Sequence, residues 1–286
     1  MKVLSLFLAI VVAGITTGAQ QPATTPPPQS QPPGKRPPQA KTQQEYKDYN
    51  ADYALSGGAA VEKAADDFAA KYPQSELREY LYSKAMHEYQ NENNPGKMLA
   101  MGEKVLALDA DNSIALVLTA TVLADSLSDA DQDREQKIAE IKKNSSRALE
   151  TVDTGFTPPA NATPEQIAAY KSTLQSMAHS ALGIMDLKTS DDAGAEKELH
   201  AAADLNKSQP DPYIWYHLAL AQDHLATGMA DKREQQKKYV EALSSVNQAL
   251  QYTGSNADLA KLAQGEHERL QKLASLSTPT PGEAKP

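Results

Sequence analysis

The chain has 286 residues, enough for one large domain or two ordinary ones, with a net charge of −9 and no cysteine. The missing cysteine excludes disulfides, thiolate metal sites, cysteine nucleophiles and a lipidated N-terminal cysteine. An acidic chain without a Lys/Arg stripe is unsuited to nucleic acid or anionic membrane surfaces, because phosphate neutralisation supplies most of that affinity. Hydrophobic residues make up 40 % but aromatics only 6 %. Alanine thus carries much of the apolar character, which suits a thin, layered stack of closely packed helices.

In chain order, Met1-Lys2 and the apolar run Val3–Val12 precede the small residues Thr17-Gly-Ala19. This pattern predicts an export signal over 1–19, cleaved after Ala19. The run is too short to span about 30 Å of hydrocarbon, so no membrane insertion is expected after cleavage. Residues 20–41 are rich in Pro, Gln and Thr and predict an extended, disordered spacer. Helical signals then fill 42–275, and no strand-like alternation persists. First helices are predicted at 43–55, 76–91, 113–126, 164–188 and 212–227. Second helices follow at 58–71, 96–108, 132–152, 191–205 and 231–252, and a last helix at 256–275. Breaks fall at Gly57-Gly58, Tyr72-Pro73, Asn94-Pro95-Gly96, Gly155, Pro158-Pro159, Pro210, Gly228 and Gly254. Ser75 and Ser113 are expected N-caps, and Thr163-Pro164-Glu165 a cap with proline at the first helical position. Residues 276–286 are expected to form a frayed tail.

The chain also repeats itself. Ile114-Ala-Leu-Val-Leu118 is echoed by Ile214-Trp-Tyr-His-Leu218, and Arg134-Glu-Gln136 by Arg233-Glu-Gln235. Self-similarity at fixed spacing marks stacked units, each too small to bury its own apolar face. Tyr82, Met86 and Tyr89 fall at the large, small and aromatic slots of a first helix, and Leu108-Asp-Ala-Asp-Asn112 closes that unit. Thirty-four residues beyond Met86 and Tyr89 stand Ala120 and Leu123. His179, Gly183 and Asp186 repeat the slots, followed by Ala195, Leu199 and Ala202. Trp215, Leu218 and Ala219 do so again, followed by Ala242, Val246 and Ala249. In these residues, 42–275 resembles the tetratricopeptide repeat family. The resemblance implies an all-α, right-handed solenoid of about five helix hairpins plus a C-terminal capping helix. Two units are long, and their extra residues are expected near 131–137 and 229–238.

The resemblance further implies a concave groove lined by first helices. Counted from Trp215, its residues are Tyr213, Tyr216, Leu220, Asp223 and His224; counted from Tyr82 they are Tyr80, Ser83, His87, Gln90 and Asn91. Tyrosines beside short polar groups make adaptable contacts, although Tyr80 is equally suited to packing against the neighbouring unit. The family's Lys/Asn clamp for peptide carboxylates is missing from these slots. Catalysis lacks a signature: no glycine-rich phosphate loop, no nucleophile elbow, no second histidine near His267-Glu268. No cofactor or metal is expected. His217 and His224, two turns apart on one helix, would need a further ligand from elsewhere. The asparagine motifs at Asn144, Asn161 and Asn206 matter only in a eukaryote, and the short signal looks bacterial. The expected function is thus a non-enzymatic, exported scaffold or adaptor, periplasmic or secreted, that binds a protein or peptide. The alternatives are a structural subunit of an envelope complex and a metal-binding or enzyme-accessory protein. The oligomeric state is left open.

Overall fold

A computed structural model describes residues 35–156 and 162–275. The expected signal at 1–19, the first part of the proline-rich segment and the tail at 276–286 lie outside the described residues. Among the described residues there are eleven helices and no extended strand, only a single bridging residue at Gln39. The helices are α1 (Gln43–Tyr53), α2 (Gly58–Lys71), α3 (Arg78–Asn91), α4 (Pro95–Leu108), α5 (Ser113–Ser126), α6 (Arg134–Thr151), α7 (Pro164–Lys188), α8 (Asp192–Leu205), α9 (Pro212–Gly228), α10 (Lys232–Tyr252) and α11 (Ala257–Ser275). Each packs on its neighbours in sequence, as in a helical solenoid. An all-helical stack of hairpins closed by α11 is thus the observed architecture.

Local chemistry accounts for most helix ends. Side chains of Thr42, Asn94, Asn112, Asp191, Asp211 and Asp231 accept from the first-turn amides of α1, α4, α5, α8, α9 and α10. Thr163 and Gln166 complete a reciprocal capping box ahead of Pro164. Two expected caps are displaced. Asn112 caps α5, which leaves Ser113 as its first residue. Ser75 Oγ instead accepts the Leu77 amide, and α3 starts only at Arg78. Asn93 (φ 53°) and Ser190 (φ 62°) end α3 and α7 in the left-handed conformation. In both places the next amide bonds back five residues, Asn94 to Tyr89 O and Asp191 to Asp186 O, each at 2.9 Å.

The second helices bury one recurring stripe at i, i+4, i+7: Val61, Ala65, Phe68; Met98, Gly102, Val105; Ile141, Ser145, Ala148; Ala195, Leu199, Ala202; Ala242, Val246, Ala249. A stripe at this spacing lies on one helical face and must be covered by the neighbouring helices. Small residues mark close crossings. A Cβ on Gly102 would stand 2.4 Å from Thr119 Cγ2, and one on Gly183 would stand 2.6 Å from Leu199 Cγ. Ala219, Ala242 and Ala249 are fully buried together in the C-terminal core. Helix α5 buries ten of its fourteen residues. A helix apolar all round belongs in the interior, and α5 is covered by α4, α6 and α7.

The buried positions also measure the unit lengths. Met86 to Met98 spans 12 residues, as does Gly183 to Ala195, whereas Ala120 to Ile141 spans 21 and Ala219 to Ala242 spans 23. The extra residues lengthen the 127–133 loop and the start of α6, and they extend both the end of α9 and the start of α10. A larger insertion escaped the sequence argument. Ala148 to Gly183 spans 35 residues where Val105 to Ala120 spans 15, and it builds the 152–163 connector and the 25-residue α7. The Ile114/Ile214 match is likewise not one of equivalent positions. The caps Asn112 and Asp211 are offset by 99, and Ile214 is buried while Ile114 is only half-buried.

The proline-rich spacer was drawn too long. Residues 35–41 lie docked on the stack, with Pro38 and Ala40 buried. Lys35 and Arg36 meet carboxylates of the turns before α3 and α5, 40 or more residues away in sequence.

Candidate functional site on the inner helices

The α3 set of expected groove residues shares one helix face but differs in freedom. Tyr80 is half-buried and packs on the first core, with its ring 6.5 Å from that of Tyr49. Burial pushes its hydroxyl well above the usual phenol range. Ser83 is half-buried. His87 Nδ1 lies 3.3 Å from Gln90 Oε1, so these two engage each other, and burial pushes the imidazole down. Asn91 is exposed.

The α9 set is more deeply committed. Tyr213 Oη donates to Asp125 Oδ1 at 3.1 Å, and its ring lies 4.2 Å from that of His217. It therefore fastens α9 to α5 and is not a free contact residue. Tyr216 is half-buried against the C-terminal core, edge-on to His217 at 5.5 Å. Leu220 is half-buried. Asp223 is buried and ion-paired with Arg269 of α11; it faces the capping helix, which corrects its assignment to an open groove. His224 is exposed, with Nδ1 2.9 Å from Asp192 Oδ1. Nothing brings the α3 and α9 sets into contact, since Tyr80, Tyr213 and Tyr216 pack on three separate cores.

Residues outside the expected groove set complete the inner-face cluster. Lys188 Nζ donates to Ala124 O at 2.9 Å and Asp125 O at 2.6 Å, capping the C-terminal end of α5 with a cation. Arg134 does the same for α7, donating to Lys188 O at 2.8 Å. His217 Nδ1 lies 2.8 Å from Tyr213 O. A carbonyl only accepts, so Nδ1 carries the proton. Burial pushes this imidazole down to about 4, leaving it neutral at pH 7. Asp211 caps α9 and sits beside Tyr213. Burial raises Asp125 to about 6, against the lowering effect of the Tyr213 hydrogen bond. Burial also raises Asp186 to about 6, aided by Asp191. The signal for two of these residues was available. Slots nine residues beyond Leu116 and His179, the count that gives Asn91 from Tyr82 and His224 from Trp215, hold Asp125 and Lys188.

Beside this cluster a small cavity of about 20 Å³ is lined by Thr121, Ser176, Ser180, Asp211 and Tyr213. It has room for one water-sized group. His217 and His224 engage different partners, and among the described residues no three His, Cys, Asp or Glu side chains gather to hold a metal. The cluster's geometry orders three inner helices. No helix among the described residues is long and apolar enough to cross a membrane. Comparison with protein families, with curated proteins and with solved structures finds no match to this chain.

Proposed function

We propose that the chain is an exported tetratricopeptide-like scaffold that binds a protein or peptide in a bacterial cell envelope. The observation that carries this reading is the buried i, i+4, i+7 stripe recurring in all five second helices. Such a stripe turns the first helices into one repeated inner face, and stacked hairpins commonly use such a face for binding. Buried residues at the first-helix slots, such as Tyr82, Met86 and Tyr89 of α3 and Leu116, Ala120 and Leu123 of α5, support tetratricopeptide-like units. Half-buried Tyr216 and Leu220 and exposed His224 and Asn91 are the inner-face residues best placed to meet a partner. The export signal at 1–19 supports the location.

The test is affinity capture from a native envelope fraction with the mature protein as bait. A Tyr216→Ala/His224→Ala chain should lose the captured protein and keep its helical signal. Capture unchanged by that pair places the binding surface elsewhere. A mature chain that captures nothing but elutes as a stable oligomer in light scattering favours a structural subunit.

A further inference from the structure

The segment from Lys35 to Lys41 crosses three inter-helix turns in a defined pose. Arg36 grips Glu76 with both terminal nitrogens, at 2.9 and 2.7 Å, and the Gln39 amide donates to the same carboxylate at 3.1 Å. Lys35 Nζ pairs with Asp109 at 2.5 Å, and its amide donates to Phe156 O at 2.9 Å. The Arg36 guanidinium beside Glu76 holds that carboxyl below the usual range. Burial raises the neighbouring Glu79, helped by the charge of Asp109 and opposed by Lys35. Without the segment, the stack would present a recess holding Glu76, Glu79 and the buried Asp109, with Arg78 as its own cation on that wall. Its present contents are two adjacent cations, then two prolines, of which Pro38 is buried. Proline fixes φ near −65° and favours the extended form. The fit is incomplete: a cavity of about 290 Å³ remains between Arg36, Pro38, Gln74, Arg78, Glu79 and Leu108.

We propose that this acidic recess is a peptide-docking site, filled in cis by the chain's own Lys35–Lys41 segment, and that its external ligands are extended peptides carrying adjacent basic residues followed by prolines. The cis segment acts as an intramolecular competitor. A short tether supplies an effective concentration on the order of millimolar, so only a better-fitting or locally concentrated peptide displaces it. Displacement is feasible because Arg36 and Glu76 are 57 % and 43 % exposed, and exposed ion pairs are weak and screened by salt. The unfilled cavity is where a bulkier ligand gains contacts that the cis segment lacks. This site is independent of the inner face of α9.

The probe is a labelled synthetic peptide, Lys-Arg-Pro-Pro-Gln-Ala-Lys-Thr, titrated by anisotropy against the full chain and its Lys35→Ala/Arg36→Ala variant. The variant should bind at least about tenfold more tightly than wild type, because tethered competition is removed. Adding Glu76→Gln or about 1 M salt should abolish that binding. Equal binding by wild type and variant, no binding by the variant, or binding that survives Glu76→Gln overturns the proposal. Hydrogen exchange on the unmodified chain guards against a misfolded variant. Saturating peptide should speed exchange of the Lys35 and Gln39 amides, and unchanged rates would count equally against it.

Discussion

The hydroxyl of Tyr213 reaches the carboxylate of Asp125 at 3.1 Å across 88 residues of sequence, tying α9 to α5. Asp125 titrates at about 6 in the fold, above the 3.8 of a free aspartate, because burial disfavours its charge. A carboxyl raised on folding costs stability when ionised, and that cost fades as pH falls through 6 towards 4. Asp125→Asn should therefore melt higher than wild type at pH 8, by up to about 2 kcal/mol given that one pKa unit is about 1.4 kcal/mol. The difference should close by about pH 4. Tyr213→Phe should act oppositely, costing about 1–3 kcal/mol at pH 8 by removing the donor to a buried charge. Thermal melts across that pH range check both; an Asp125→Asn chain less stable than wild type at pH 8 sinks the account.

His217 sets a second pH dependence of opposite sign. Its folded value, about 4, lies below the 6.5 of a free imidazole. The stability tied to its neutral form is complete above 6.5 and is lost as pH falls from there towards 4. Its ring resonances should show no titration midpoint above about pH 5 in NMR, because desolvation opposes the imidazolium. A midpoint near 6.5 would mean that the Tyr213–His217 stack opens to solvent.

Three glycines should respond differently to alanine. A helical Gly→Ala change gains about 0.5–1 kcal/mol where the new methyl meets nothing. Gly265 of α11 has no atom within 4 Å of such a methyl, so Gly265→Ala should stabilise. At Gly183 the methyl would meet Leu199 Cγ at 2.6 Å, and at Gly155 the backbone oxygen of Asp111 at 2.1 Å. Overpacking costs about 1–3 kcal/mol. Gly183→Ala should be mildly destabilising because Leu199 can shift, and Gly155→Ala more so because a backbone carbonyl cannot. Denaturant midpoints order the three, and equal midpoints would refute the crossings.

Much of this fold was legible because helix ends are local chemistry. Thr163-Pro164, Asn94-Pro95 and Gly57-Gly58 each mark a boundary within a few residues of itself. The stripe ending at Ala202 or Ala249 was legible because its period is that of one helix face. The long α7 was legible as a helix at 164–188 from its Thr163-Pro164 cap, but not as an insertion, since a repeat argument anticipates the regular step and is silent on inserted residues. Docking of Lys35 and Arg36 was hidden for another reason: proline-rich composition predicts an extended chain, and an extended chain can still lie on carboxylates 40 or more residues away. The inner-face residues were legible as positions but not as states. Slot counting places Tyr213 and Asp223 on a face, yet it carries no information about Asp125 or Arg269 arriving from distant helices to bury them.

Asp223 makes the sharpest case. Its carboxylate is buried, one oxygen paired with Arg269 and the other, Oδ1, without a hydrogen-bond partner. Arg269 is itself 45 % exposed and also held by Glu266 at 2.7 Å. Burial raises Asp223, against the lowering effect of Arg269. Removing one partner of a buried pair leaves an uncompensated charge, at about 3–5 kcal/mol for a dry pair. Solvent screening at half-exposed Arg269 brings Arg269→Ala to about 2 kcal/mol at pH 7. The raised carboxyl then protonates readily on acidification, so the loss should shrink towards pH 4. Asp223→Asn should be the milder change, because an amide needs no counter-ion, and should leave α11 docked. Unfolding curves of both variants at pH 7 and pH 4, with amide exchange across α11, read the outcome. If Arg269→Ala keeps wild-type stability at pH 7, the pair does not fasten the capping helix, and Asp223 returns to the inner-face residues available to a partner.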